Sequence, residues 1–129
     1  MTTETLRALA LRCEEATGPD RRLDAEIACA VRFPTLRPAE PDDFEGEHGY
    51  SAGNIKVDTG FLMSESYSRS IDAAATLVPK GFDWAVFRTN GGLTIHAWCG
   101  SREDVFGQTP ALALCAAALI ARSQEEVNG

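Results

Sequence analysis

Asn90-Gly91 sits between two runs of residues suited to β-strands, Phe82 to Thr89 and Gly92 to Cys99. A two-residue hairpin turn needs positive φ at both central positions, and Asn-Gly supplies it at low steric cost. The chain therefore contains an antiparallel hairpin. A two-residue turn puts Arg88 opposite Leu93, Val86 opposite Ile95 and Trp84 opposite Ala97. Those side chains share a face with Phe82 and Cys99. Asp83, Ala85, Phe87, Thr94, His96 and Trp98 take the other. Aromatic residues fall on both faces, so both are expected to be covered, with Trp84 in the core.

Helical periodicity surrounds the hairpin. Leu6, Leu9, Ala10, Cys13 and Ala16 mark a first helix, capped by Thr2 or Thr3 and stopped by Gly18-Pro19. Asp20 caps a second helix with Leu23, Ile27, Ala30 and Val31 inside; Phe33-Pro34 ends it. The short connection predicts an αα-hairpin. Ser68 or Ser70 caps a third helix through Ile71, Ala74, Leu77 and Val78. Thr109-Pro110 opens a fourth, striped by Leu112, Cys115, Ala116 and Leu119. Residues 34–66 read as a long polar loop or insert, broken by Pro34, Pro38 and Pro41, with a short edge strand near 54–58. Residues 100–108 read as a polar loop and 124–129 as a frayed tail. The expected architecture is α+β in one domain, 1–129: a small antiparallel sheet built on the hairpin and sandwiched by helices, two N-terminal, one central and one C-terminal.

The chain has 129 residues and a formal net charge of −7. That length is one domain able to build its own core. The charge disfavours general binding to nucleic acid, though two or three arginines suffice for a small anion. Cys13, Cys29, Cys99 and Cys115 lack metal-ligand spacing and read as small buried hydrophobes. The N-terminal segment lacks signal-peptide character, and no apolar run approaches the ~20 residues of a membrane span. A cytoplasmic location with no membrane partner is expected.

Four stretches together resemble small phage and prophage proteins of the phage ABA-sandwich domain type. They are Ala16-Thr17-Gly18-Pro19-Asp20-Arg21 with Leu23-Asp24, Tyr67 to Ala74, Leu77 to Trp84, and Thr109 to Leu119. The resemblance implies a sheet between helices and a phage or prophage gene. It implies no reaction and carries over no catalytic residue. Phage genes of this size often act against host defence, one strategy being to sequester a nucleotide signal.

The residues themselves offer no catalytic constellation. His48 and His96 lack a ligand cluster, so neither a metal nor a cofactor is expected. Ser64, Ser66, Ser68 and Ser70 lie at a helix start, where capping accounts for them. No Gly-x-Ser-x-Gly elbow occurs. Candidate ligand-binding residues are Arg21 and Arg22 for an anion at a helix N-terminus, with Tyr67, Arg69, Phe87, Arg88, His96 and Trp98 adding charge and stacking. The expected function is a non-catalytic, homo-oligomeric accessory protein that binds a small anionic, nucleotide-like ligand. The alternative is an interaction module that masks a host protein through its acidic loop, with Asp42, Asp43, Glu45 and Glu47 in contact.

Overall fold

The last helix organises the molecule. In the computed structural model, which describes residues 3–44, 51–92, 94–100 and 104–128, α4 spans Pro110–Asn128 and every residue from Ala111 to Leu119 is buried. A helix apolar all round must be enclosed. Here α1 (Thr3–Glu15), α3 (Ile71–Ala75) and the hairpin sheet enclose it. The alanines allow close approach, so the expected single stripe becomes a buried cylinder. Helix α2 (Arg21–Val31) packs on α1 as expected of an αα-hairpin, with Leu23 and Ile27 inside.

Three caps follow the predicted chemistry. Asp20 accepts from the Leu23 N–H, Ser70 from Ala73 and Thr109 from Leu112. Helix α3 is shorter than its sequence pattern. It closes at Ala75, and Leu77 reaches the core from beyond it. At the other end α4 stays helical to Asn128, so residues 124–128 continue the helix rather than leaving it.

The described residues of 34–66 carry more regular structure than the loop reading allowed. They contain β1 (Arg37–Pro38), a 3-10 turn at Pro41–Phe44, β2 (Asn54–Val57) and β3 (Gly60–Met63). The three strands form an antiparallel sheet in the order β1-β2-β3, lying against α2. Proline in β1 sits on an edge strand, where a missing N–H is tolerated. Ile55 is fully buried and anchors this sheet in the core. The expected strand near 54–58 is therefore present, with partners on both sides.

The hairpin consists of β4 (Trp84–Thr89) and β5 (Thr94–Cys99). Its register differs from the expected one: Arg88 faces Ile95, Val86 faces Ala97 and Trp84 faces Cys99. The loop has four residues instead of two. Asn90, Gly91 and Gly92 all take positive φ (56°, 68° and 89°), so Gly92 joins the turn. A shift of two residues preserves side-chain parity, and the predicted faces survive. Residues 100–108 were expected to be loop, yet Val105–Gly107 adds a third strand, β6, beside β5. Gly107 is needed there. A Cβ on it would lie 2.5 Å from the Ala113 backbone nitrogen of α4.

The α+β class holds: the described residues form four α-helices and two small antiparallel sheets. Val86, Ile95, Ala97, Cys99 and Val105 turn toward α4 and join the core or pack on it. Trp84, expected in the core, begins an edge strand and is 39% exposed. Ala85, Phe87, His96, Trp98 and Phe106 point the other way, and none belongs to the core or packs against it. Among the described residues the helices thus cover one face of the hairpin sheet.

Candidate aromatic binding face

Strand pairing arranges the outer face in rows. Phe87 on β4, His96 on β5 and Phe106 on β6 are direct cross-strand partners. The Phe87 and His96 rings are parallel within 5°, with centroids 5.0 Å apart. Phe106 tilts by 49° against His96 at 4.5 Å. Cross-strand aromatic pairs of this kind stabilise a sheet by roughly 0.5–1 kcal/mol each. The row below is Thr89 and Thr94; the row above pairs Trp98 with Ala85. Phe106, on the edge strand β6, is 52% exposed.

Polar contacts fix the central ring. His96 Nε2 and Thr89 Oγ1 share a 2.6 Å hydrogen bond. His96 Nδ1 is buried without a hydrogen-bond partner, and the nearest Asp104 carboxylate oxygen is 4.0 Å away. Glu14 of α1 accepts from the Phe106 backbone, which ties β6 to the helical layer; burial nonetheless raises the Glu14 carboxyl above its ordinary range.

The expected site divides. Phe87, His96 and Trp98 come together, as strand alternation predicted. Arg88 lies on the opposite face, and Arg69 is exposed without a described partner. Tyr67 is fully buried and cannot stack on a ligand. Phe106 was missed because a three-residue strand carries too short a period to recognise; the apolar pair Val105-Phe106 before Gly107 was its only signal.

Arg21 and Arg22 are held internally. Arg21 donates to Asp24 Oδ2 at 2.8 Å, to Ser66 Oγ at 3.0 Å and to the Ser64 carbonyl at 2.7 Å. Asp24 is itself fully buried and accepts from the Ser68 N–H at 2.7 Å. Burial raises the Asp24 carboxyl, while the Ser68 and Arg21 contacts pull it back. This knot ties the segment after β3 to α2 and leaves the Arg21 guanidinium no anion to seek. Arg22 donates to the Ala39 carbonyl and to Glu40 Oε1 at 2.8 Å. It lines a groove of about 350 Å³ with Leu9, Glu26, Cys29, Leu36 and Pro38. Glu26 in that groove pairs with Arg12, so both charges there are already matched.

The acidic segment is partly neutralised as well. Arg37 grips Asp43 through two hydrogen bonds of 2.9 and 2.8 Å, and the Glu40 N–H donates to the same carboxylate. These contacts hold the Asp43 carboxyl down at about 2. Glu45, Glu47 and His48 lie outside the described residues. The chain was compared with protein-family models, curated proteins and solved structures. None of the three comparisons finds a match. Among the described residues no helix is long and apolar enough to cross a membrane.

Proposed function

We propose that this chain is a non-catalytic binding protein whose working surface is the outer face of the hairpin sheet. The observation that carries the reading is the row Phe87, His96 and Phe106, with Trp98 beside it and no described helix over it. A flat aromatic face of this kind accepts a planar ring by stacking, and a nucleobase is the commonest such ring. The resemblance of the four sequence stretches to phage ABA-sandwich proteins supports a phage or prophage accessory role. In that role the protein sequesters a small nucleotide signal in the bacterial cytoplasm, as a homo-oligomer.

Nucleophile chemistry supports the non-catalytic half. The Ser64 hydroxyl donates to the Gly53 carbonyl and Ser68 to the Asp20 carbonyl, Ser70 accepts from the Ala73 N–H, and Ser66 receives Arg21. The cysteines are buried. Burial pushes the Cys99 thiol up to about 11, and a hydrogen bond with Cys13, together with burial, drives Cys115 far higher. Such thiols are inert. Masking of a host protein through the acidic segment draws less support, because Asp43 and Glu40 are engaged with Arg37 and Arg22.

Nucleosides, mononucleotides and cyclic nucleotides, titrated while the Trp98 indole resonance is followed by NMR, test the reading. Binding should move that resonance. Phe106→Ala should weaken it roughly 5- to 150-fold, the loss of one stacking contact of about 1–3 kcal/mol. A silent panel, or equal affinity in Phe106→Ala, removes the aromatic face as the site. Light scattering on the same samples checks the homo-oligomer.

A further inference from the structure

Strand β4 is the longest edge strand among the described residues. β1 has two residues, one of them proline; β6 has three, with α1 packed against it; β3 has four and begins at a glycine. β4 offers six, Trp84–Thr89, without proline or glycine, and pairs with β5 without a bulge. Among the described residues no strand pairs with its other side. Such an edge is a template for a further strand. The backbone groups it presents follow from the ladder. The Gly100 N–H donates to the Asp83 carbonyl at 2.9 Å, in register with the β4–β5 pairs. Hydrogen-bonded pairs alternate along an antiparallel ladder, so Asp83, Ala85, Phe87 and Thr89 turn their backbone groups toward β5. Trp84, Val86 and Arg88 turn theirs to the free edge. The Trp84 and Arg88 side chains are both exposed on the helical side of the sheet, so the helical layer leaves both ends of this edge open.

We propose that a second copy of this chain pairs antiparallel along β4, with the two-fold axis at Val86, and completes the aromatic face. In that register Val86 meets its own counterpart and Trp84 meets the partner's Arg88. Each outward N–H and C=O of the three residues then finds a partner. Moving the axis by one residue either way leaves Trp84 or Arg88 opposite a residue outside the strand. The axis at Val86 also keeps the two arginines about 13 Å apart along the strands. Each guanidinium lies against an indole, a cation–π contact that covers the exposed Trp84. On the outer face Phe87 stands opposite the partner's Ala85, and Ala85 is the ladder neighbour of Trp98. One row thus runs Phe106, His96, Phe87, the partner's Ala85 and the partner's Trp98, with its two-fold mate alongside. Phe87 and the partner's Trp98 stand two strand spacings apart, about 10 Å, with only a methyl group between them. That gap is a slot with an aromatic wall on each side, suited to a nucleobase. The slot rests on the aromatic-face reading above; the strand pairing does not.

Sedimentation equilibrium of the full chain reads the association state, at the concentrations used for NMR. A mixture of isotope-labelled and unlabelled chain reads the contact. The expected result is a dimer with an intermolecular NOE between the Phe87 ring and the Ala85 methyl. Val86→Pro and Arg88→Pro each delete an outward N–H and spare the β5 ladder, so both should be monomeric with the parent's circular dichroism. If Val86→Pro does not fold, because Val86 also packs on the core, Arg88→Pro still decides. Met63→Pro is the control. The Ser64 N–H donates to the Gly53 carbonyl in register with β2–β3, so the Met63 N–H also points outward, on the β3 edge, and this variant should stay dimeric. Nucleoside affinity of Arg88→Pro should fall roughly 5- to 150-fold, the loss of one stacking wall. A monomeric parent, a dimer without the NOE, or a dimer that Met63→Pro dissociates and Arg88→Pro does not, overturns the proposal. Undiminished affinity in a monomeric Arg88→Pro overturns the slot. A dimer with the NOE that binds no nucleoside keeps the pairing and removes the aromatic face as a ligand site; a monomeric parent that binds nucleosides does the reverse.

Discussion

Asp24→Ala should be among the most damaging single changes in this chain, and its companion Asp24→Asn much milder. The alanine leaves the buried Ser68 N–H unpartnered, at about 1–3 kcal/mol. It also removes the hydrogen-bonded ion pair to Arg21. Arg21 is 32% exposed on its side chain and keeps the Ser64 carbonyl and Ser66 hydroxyl, so that loss is reduced to about 1 kcal/mol. Against this, a charged carboxyl with no exposed surface is itself unfavourable, as its raised pKa records. The two losses sum to about 2–4 kcal/mol, and relief of the buried charge brings the net to the lower part of that range, about 2–3 kcal/mol. For a chain of this length that lowers the thermal midpoint by roughly 6–15 °C. Asparagine keeps an acceptor for Ser68, sheds the buried charge and loses the Arg21 contact, for about 1 kcal/mol. Calorimetric melts of the three proteins at pH 7 check the order. An Asp24→Ala protein within about 1 kcal/mol of the parent, or one more stable than Asp24→Asn, would refute the view that this knot holds β3 to α2.

The same carboxyl gives a pH dependence. Its folded pKa is raised, so the folded state carries a penalty that is full above that pKa and fades as pH falls toward the ordinary 3.8. Denaturant titrations across this window should show the parent gaining on Asp24→Asn as pH drops. Asp43 behaves oppositely. Its carboxyl is depressed to about 2, so the stability it lends to the Arg37–Phe44 segment is present above about 4 and is lost as pH falls through about 2, readable from the Asp43 carboxyl and Glu40 amide resonances. Gly107→Ala should destabilise by about 1–3 kcal/mol in urea, because its methyl meets the α4 backbone at Ala113. Thr109→Ala should remove about 1 kcal/mol by uncapping α4, measured by the same urea midpoint.

Features set by local chemistry were legible in the sequence. Asp20, Ser70 and Thr109 cap because a side-chain oxygen two or three residues before a free N–H has little else to do. The hairpin faces were legible because alternation fixes parity, and they survived a register error that only the φ angles at Asn90 to Gly92 could correct. What failed was set by distance along the chain. A two-residue β1 and four-residue β2 and β3, interrupted by prolines and glycines, present no period long enough to read. Phe106 joined the aromatic row only because β6 found β5, and nothing within Val105–Gly107 announces that pairing.

The arginines make the same point about the site. Arg21 looked like an anion receptor from its place at a helix start, but its partners Ser64 and Ser66 lie more than 40 residues away. In a chain with 19 acidic and 12 basic side chains, a cation usually finds a carboxylate; Arg12, Arg21, Arg22 and Arg37 all do. Arg69 and Arg88 have none but stand in water, where a charge is satisfied at no cost. Arg122 follows a third course: it is half-buried and held by a backbone acceptor, its Nε donating to the Leu77 carbonyl at 2.6 Å, a partner 45 residues away that nothing near Arg122 in the sequence announces.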